Sequence, residues 1–234
     1  MKSFLIHSVL LLFLAATASA DWIIESRTES AQLSYDTTTK VKGWLVRTET
    51  TGGALGSTSF IINSASGDTI RLHHGPKFFV RTDSAEVKAA VAAARKQEGA
   101  NNRPSVALKP TGQSEKVGDY ACDIYTGTEG GMTWSFWVAR NHPQALALKT
   151  LEKRMHEFGL VDPDTSELPG PVIKTQTIQQ GGITSHIAGR KKIESREPLI
   201  TTTTILSIKE QDVDAKEFEV PIGYRAYVAP HQGH

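Results

Sequence analysis

Apolar and polar residues alternate over much of the chain, and this alternation predicts β-strands. The alternating runs are short and are separated by Gly, Pro, Asn and Asp, the residues that favour tight turns. Successive strands joined by tight turns are typical of an antiparallel sheet. In the first part of the chain the pattern predicts strands at 22–28, 40–50, 59–63, 69–73 and 77–81.

The same alternation returns in the middle and in the last third of the chain. β-Branched residues such as those of Thr201–Thr204 suit a strand, because they pack well on a pleated surface. These parts of the chain predict strands at 113–117, 120–125 and 132–139, and two or three more within 172–178, 184–192 and 199–208.

Two segments depart from the alternation and predict helices. Asp83 can cap the first helix, Glu86 completes a capping box, and an alanine-rich run continues to Ala94. The second helix begins near Asn141, with Pro143 in its first turn. Its apolar residues recur at intervals of three, four and three, so they share one face that we expect to pack on the sheet. They are Leu148, Leu151, Met155 and Phe158.

Strands dominate the chain, and the two helices are inserted between groups of strands. This order favours an α+β fold with an antiparallel sheet over alternating β and α units. A mature chain of this length can bury a substantial core. We predict one β-rich domain over residues 21–228 and a flexible tail over residues 229–234.

Residues 1–20 have the pattern of a secretory signal peptide. Lys2 supplies a positive start, Leu5–Leu14 is almost wholly apolar, and Ala18–Ala20 offers small side chains to a signal peptidase. The apolar run is shorter than the about 20 residues that a membrane-spanning helix needs. We predict that this segment is removed, which leaves an exported, soluble protein without a transmembrane segment. No cysteine follows the small residues, so we expect no lipid anchor.

Charge and cysteine content narrow the choice of partners and of stabilising features. The chain has 26 Lys and Arg against 25 Asp and Glu, for a net charge of +1. Proteins that bind nucleic acid usually carry an excess of basic residues, so we expect no nucleic-acid partner. The single cysteine, Cys122, cannot form an intramolecular disulfide, and we expect it to be buried as a small apolar residue.

The sequence contains no pattern that predicts a catalytic residue, a metal site or a cofactor. His73 and His74 are adjacent on a predicted strand, so their side chains point to opposite faces and cannot readily share one metal. The other histidines lack the spacing of zinc ligands. Gly127–Gly131 lacks the Lys-Ser or Lys-Thr ending of a phosphate loop, and no Gly-x-Ser-x-Gly turn is present. A hydrolase in which His73 or His74 joins an acid and a serine remains an alternative.

Aromatic residues are the remaining candidates for binding. Alternation places Trp134 and Phe136 on one face of their strand and Trp137 on the other, so both faces are at least partly covered. One face can belong to the core beneath the helices, and the other can be a ligand cleft, a partner surface or ordinary packing. The candidate ligand-binding residues are Trp44, Phe60, Phe78, Trp134, Phe136 and Trp137.

Three stretches carry a resemblance to a known family. The first combines residues 62–68 with 77–80, the second combines 118–125 with 137–139, and the third is 218–224. Together they resemble the bacterial exported family called domain of unknown function 4412, over most of the mature chain.

The resemblance implies a fold similar to that of the periplasmic lipoprotein carriers. That fold is a curved, mostly antiparallel half-barrel sheet with two helices packed on one face, and the space between them can take acyl chains. A Gram-negative envelope is implied as well, so the exported protein is expected to be periplasmic or secreted. We therefore expect a non-catalytic periplasmic protein that binds or carries a lipid-like or other apolar ligand. The alternative is an envelope protein without a small-molecule ligand that holds a protein partner through a strand edge or through its aromatic face.

Overall fold

One sheet organises the part of the chain that the structure describes. The computed structural model describes residues 21–51, 57–97, 106–157, 163–180 and 197–227. Its strands are β1 Trp22–Ser30, β2 Ser34–Lys42, β3 Leu45–Thr51, β4 Thr58–Asn63, β5 Thr69–His73, β6 Phe78–Thr82, β7 Lys109–Val117, β8 Tyr120–Glu129, β9 Met132–Val138, β10 Val172–Gln179, β11 Leu199–Glu210 and β12 Arg225–Ala226. Its helices are α1 Ser84–Gln97, α2 Ala145–Glu157 and a short 3-10 helix, Ala215–Phe218.

The sheet is curved and open. Its strands lie in the order β12-β6-β5-β4-β3-β2-β1-β11-β10-β9-β8-β7, so β12 and β7 form its two edges. Neighbouring strands are antiparallel, except that β12 runs parallel to β6. β1 pairs with β11 from Trp22–Glu210 to Ser30–Thr201. This nonlocal pairing joins the meander β1–β6 to strands β7–β11.

The predicted α+β class is confirmed, but the prediction of one strand at 40–50 was wrong. Gly43 has a φ of 55° and, with Trp44, forms a turn between β2 and β3. β2 escaped prediction because its sequence, SYDTTTKVK, carries hydroxyl groups where an apolar alternation would reveal a strand. The predicted strand at 184–192, the predicted signal peptide 1–20 and the predicted tail 229–234 lie outside the described residues.

Both predicted helices form, with one difference in their bounds. Asp83 accepts a hydrogen bond from the backbone N–H of Glu86 at 2.9 Å, as a capping residue does. The second helix begins at Ala145 and not near Asn141, because a turn precedes it in which the N–H of Ala145 donates to the carbonyl of His142. The described side chains of α1 are mostly exposed.

Residues that pair directly on neighbouring strands point to the same side of a sheet. Val41, Val46 and Ile62 are paired in this way across β2, β3 and β4, and they form a buried cluster. Leu151 and Met155 of α2 pack against this cluster. We call this side the helix face, and α2 lies on it as its predicted apolar stripe requires.

A second apolar cluster covers another part of the helix face. The strand pairing continues through β11 and β10 to Trp134 and Phe136 on β9. These side chains are buried with Val138 and with Leu168 from the connection between α2 and β10. The helix face thus has one apolar cluster under α2 and another on β9, with the central strands between them.

The C-terminal segment covers part of the opposite face. Val213 and Phe218 are buried against Ile61 and Leu72 of β4 and β5. A buried arginine, Arg47, reaches across from β3 and bonds to the 3-10 helix of this segment. The core is therefore divided between the two sides of the sheet.

Candidate ligand-binding groove

A cavity of about 400 Å³ lies between α2 and the helix face of the sheet. Trp22, Ile24 and Val41 line it from β1 and β2, and Leu148 and Leu151 line it from α2. We call it the α2 groove. Its other lining residues are Gly43, Trp44, Ser64, Leu146, Ala147 and Thr150.

The walls of the α2 groove are almost wholly apolar. Ser64 and Thr150 are its hydroxyl-bearing residues, and both hydroxyls donate to backbone carbonyls. The partners are the carbonyls of Trp44 and Leu146, each at 2.8 Å. Neither proton is left for a ligand, so the groove attracts a molecule mainly through the burial of apolar surface.

Two large apolar side chains stand exposed at the edge of the groove. Leu146 is 84% exposed and Trp44 is 51% exposed. The turn that carries Trp44 is held in place, because its carbonyl accepts both the backbone N–H and the hydroxyl of Ser64. Exposed apolar side chains that gather at a groove mark an interaction site more often than scattered ones do.

Polar contacts fasten α2 to the connection that leads into β10. Lys149 donates to the carbonyl of Leu168, and Glu152 accepts a hydrogen bond from the N–H of Val172 at 3.1 Å. Lys149 and Glu152 directly follow the lining residues Leu148 and Leu151 in the helix. They hold the helix in place over the groove.

Glu152 is the most perturbed acid of this region. Burial raises the pKa of its carboxyl from 4.5 to about 7, against the opposing effects of the Val172 N–H, the Lys149 ammonium and the Thr165 hydroxyl. Its Oε2 atom is buried and has no hydrogen-bond partner among the described residues. A carboxylate is therefore costly here, and the neutral acid is favoured.

A second, more open cavity of about 590 Å³ adjoins the groove at Gly43 and Trp44. Lys42 lies beside it and bonds to Asp21 at 2.5 Å and to Asp212 at 3.2 Å. Burial alone would raise the pKa of Asp21, but hydrogen bonds from Lys42 and from a backbone N–H outweigh it and lower the pKa. The charges at this end of the groove are thus paired with one another.

The structure places two of the six predicted ligand-binding residues beside the groove. Trp44 lines it, and Phe60 packs against the cluster of Val41, Val46 and Ile62 beneath α2. The Phe60 ring also lies 5.0 Å from the guanidinium of Arg71. Phe78 lies on β6, near a sheet edge, where it stacks on His73 with ring centroids 4.3 Å apart.

The other three predicted residues lie elsewhere. Trp134 and Phe136 are buried in the β9 cluster of the helix face. Trp137 is on the opposite face, as the alternation predicts, and its indole N–H donates to Glu115 at 2.6 Å. The Nζ atom of Lys174 lies 4.1 Å from the Trp137 ring. The structure therefore does not bring these three side chains to the α2 groove.

Several lining residues had no signal as binding residues in the sequence. Trp22, Ile24 and Val41 are ordinary strand residues, and Leu146 and Ala147 precede the apolar stripe of α2. The period of three to four residues from Leu148 to Leu151 was the available signal, because it marks the face that meets the sheet.

His74 makes the contacts that come closest to a catalytic arrangement. Its Nε2 atom lies 2.6 Å from the Ser59 hydroxyl and its Nδ1 atom lies 2.5 Å from the Tyr224 hydroxyl. A serine triad needs an accessible hydroxyl and a carboxylate behind the histidine. Here Ser59 is 2% exposed and a phenol occupies the third position, so these contacts favour a structural role. No cluster of three or more potential metal ligands occurs among the described residues.

Changing Tyr224 to Phe should loosen the C-terminal segment. The change removes the hydroxyl that bonds to His74, and we expect the free energy of unfolding to fall by about 1 kcal/mol. Urea denaturation followed by circular dichroism measures the change. Tyr227→Phe is the matched control, because Tyr227 is a half-exposed residue of the same segment. Equal losses in both variants would contradict this role of His74.

The fold and the groove define an α+β protein with an open sheet and an apolar cavity under one helix. The chain belongs to the family described as domain of unknown function DUF4412, whose model matches residues 23–224. The resemblance found in the sequence is thus confirmed at the level of the family. A search of curated proteins found no match.

Two solved structures that align with most of this chain share little of its sequence. An uncharacterized conserved protein from Thermus thermophilus has a TM-score of 0.50 and 9% identity, over 89% of this chain and 90% of that chain. A DUF1329 family protein from Desulfovibrio piger has a TM-score of 0.34 and 12% identity, over 87% and 91%. The first likeness concerns the fold alone, and the second is too low to support a conclusion.

No helix of the described residues combines the length and the apolar character needed to cross a bilayer.

Proposed function

We propose that this protein is an exported, non-catalytic binding or carrier protein of the cell envelope, and that the α2 groove holds a lipid-like or other apolar ligand. The cavity of about 400 Å³ between α2 and the helix face carries this proposal. Small-molecule sites commonly have volumes of about 300–1,000 Å³ and mostly apolar walls. The exposed Leu146 and Trp44 extend the apolar surface to the outside of the groove.

Export and the carrier-like architecture belong to the same proposal. Residues 1–20 act as a signal peptide, so the mature protein begins at Asp21 and reaches the periplasm of a Gram-negative cell. The open sheet then works as a half-barrel whose helices cover one face and enclose the ligand. The mass of the protein recovered from the periplasmic fraction tests the cleavage site.

Filling the groove tests the binding site. Ala147 lines the groove and is exposed, so Ala147→Trp places a large side chain in the cavity without disturbing buried packing. We expect the affinity for the apolar fluorescent probe N-phenyl-1-naphthylamine to fall by about ten-fold or more, since an occluded apolar site loses its burial energy. Fluorescence titration measures the affinity.

Ala89→Trp is the matched control for this titration. Ala89 is an exposed alanine of α1, so the change adds the same side chain to a helix away from the groove. The control should bind the probe as the unchanged protein does. Equal affinities for both variants, or no binding of the probe by any form, would refute the proposed site.

An envelope interaction module is the alternative, and the sheet edges are the features that bear on it. Edge strands can pair with another chain. β7 is exposed over most of its length, but it carries Pro110, and its pairing with β8 is shifted between Pro110 and Ser114. Proline and an irregular register both hinder the addition of a strand, so the groove supports the carrier proposal better.

A further inference from the structure

The two faces of the central sheet differ sharply in charge. The central strands are β3, β2, β1, β11 and β10, in that order. Many side chains on the side opposite the helix face are charged. They include Glu25, Arg27, Asp36, Lys40, Lys42, Arg47, Glu49, Lys174 and Lys209. On the helix face of these strands, within the described residues, the charged residue is Glu210, at the end of β11.

On the helix face, the polar side chains of the central strands are mostly hydroxyl-bearing residues and not charged ones. Strand pairing puts Thr28 beside Thr203, with their hydroxyl oxygens 2.9 Å apart, and Thr39 beside Thr48, with theirs 3.4 Å apart. The further members of this hydroxyl field are Ser26, Ser30, Tyr35, Thr37, Thr50, Thr175, Thr177 and Thr201. Most of these side chains are half-buried, so part of each reaches the space above the sheet.

The hydroxyl field continues directly from the floor of the α2 groove. Ile24 lines the groove and is paired with Thr39 on the neighbouring strand. Thr39 is also two residues from Val41, another lining residue, on the same side of β2. A molecule that lies in the groove and extends along these strands passes from apolar side chains to hydroxyl groups.

We infer that the ligand of the α2 groove is an uncharged amphiphile, with an apolar chain in the groove and a neutral, hydroxyl-bearing polar group over the hydroxyl field. This inference rests on the proposed function and names the class of its ligand. Threonine hydroxyls can donate and accept hydrogen bonds, as the hydroxyls of a sugar or polyol do. On the helix face of the five central strands an ion would find no charged residue except Glu210 among the described residues, and burial of an unpaired charge is strongly unfavourable.

Lys149 and Glu152 of α2, which directly follow the lining residues Leu148 and Leu151, are bonded outside the groove. Lys149 and Glu152 bond to the connection between α2 and β10, at the carbonyl of Leu168 and the N–H of Val172. Lys42, at the other end of the groove, is bonded to Asp21 and Asp212. The ammonium groups of Lys149 and Lys42 thus have partners within the protein, and Glu152 bonds to the N–H of Val172 and not to the groove.

Three probes with the same twelve-carbon chain and different polar groups test the inference. They are n-dodecyl β-D-maltoside, dodecyltrimethylammonium and laurate, each added below its micelle concentration in competition with N-phenyl-1-naphthylamine. We expect the maltoside to bind about ten-fold or more tightly than either ion. Equal or tighter binding of an ion would overturn the inference and leave the proposed groove intact. If the naphthylamine probe binds but none of the three displaces it, the inference is overturned, whereas a protein that does not bind the naphthylamine probe at all contradicts the proposed function.

Variants of the hydroxyl field give a second measurement. Thr39→Val combined with Thr48→Val removes both members of a hydroxyl pair, so neither is left without its partner. We expect the maltoside to bind about five-fold more weakly, while the naphthylamine probe binds as before. Thr38→Val is the matched control, because Thr38 lies on the opposite side of β2. Equal weakening in the control would overturn the inference.

If the double variant does not fold, two single substitutions test the same role of the hydroxyl field. Thr37→Val removes one hydroxyl further along β2 on the helix face, and it should also weaken the maltoside selectively. Thr39→Lys introduces a cation beside the groove, and it should raise the affinity for laurate relative to the maltoside. If Thr39→Lys binds laurate no better than the unchanged protein does, the hydroxyl field is not the site of the polar group.

Discussion

Glu152→Gln should make the protein more stable at alkaline pH and should remove much of the fall in stability between pH 5 and pH 8. Burial raises the pKa of this carboxyl from 4.5 to about 7. In the unfolded chain the carboxyl ionises at its ordinary pKa, whereas in the folded protein it resists ionisation. The contribution of this carboxyl to the stability of the fold is therefore fully present below pH 4.5 and is lost as the pH rises through about 7.

The size of this effect follows from the separation of the two pKa values. Each pKa unit corresponds to about 1.4 kcal/mol, so we expect a loss of about 2–3 kcal/mol between pH 5 and pH 8 in the unchanged protein. A glutamine at this position keeps an oxygen that can accept the hydrogen bond from the Val172 N–H, and it carries no charge. Urea denaturation at a series of pH values measures the difference.

Glu167→Gln provides the control for this pH series. Glu167 is exposed and lies in the same connection between α2 and β10 to which Glu152 is fastened. The control should keep the pH dependence of the unchanged protein. If Glu152→Gln and Glu167→Gln show the same slope between pH 5 and pH 8, the buried carboxyl is not the group that titrates.

The sequence predicted the parts of the fold that local patterns control. The alternation around Trp134 and Trp137 assigned these side chains to opposite faces, and the strand pairing places them so. The stripe from Leu148 to Met155 predicted which face of α2 meets the sheet. β2 was missed because one of its sides carries threonines, whose methyl and hydroxyl groups fit a strand but give no apolar alternation.

The groove could not be predicted, because it depends on contacts between distant parts of the chain. β1 lies in the middle of the sheet only because it pairs with β11, and α2 comes to lie over β1 and β2 from a position far along the sequence. Aromatic residues were predicted from the sequence as binding candidates, but Trp134, Phe136 and Trp137 are buried in apolar clusters of the core. The aliphatic residues that line the groove look like ordinary core residues until their neighbours are known.

Arg47→Ala should release the C-terminal segment from the opposite face of the sheet. The Arg47 side chain is 9% exposed, and it donates to the carbonyl of Glu217 at 2.6 Å and contacts the Glu49 carboxylate at 2.5 Å. Removing one member of a buried ion pair commonly costs about 3–5 kcal/mol. Here Lys40 stays 3.9 Å from the Glu49 carboxylate and 3.1 Å from the Glu217 carboxylate, so neither partner is left without a cation. Water partly screens Glu49 and Glu217, which are 30% and 40% exposed, so we expect the free energy of unfolding to fall by about 2 kcal/mol.

Arg27→Ala is the control, because it removes an exposed ion pair where Arg47→Ala removes a buried one. Arg27 lies on the same side of the sheet and bonds to Asp36 at 2.7 and 3.1 Å, so its geometry is as good as that of Arg47. Both Arg27 and Asp36 are about half exposed, and ion pairs in water contribute little to stability. We expect Arg27→Ala to unfold at nearly the same urea concentration as the unchanged protein, and Arg47→Ala to become susceptible to proteolysis between residues 211 and 227. Equal shifts in the two variants would mean that burial does not decide the strength of these pairs, and that the C-terminal segment is held by its other contacts, the buried Val213 and Phe218 and the ion pair of Glu217 with Lys40.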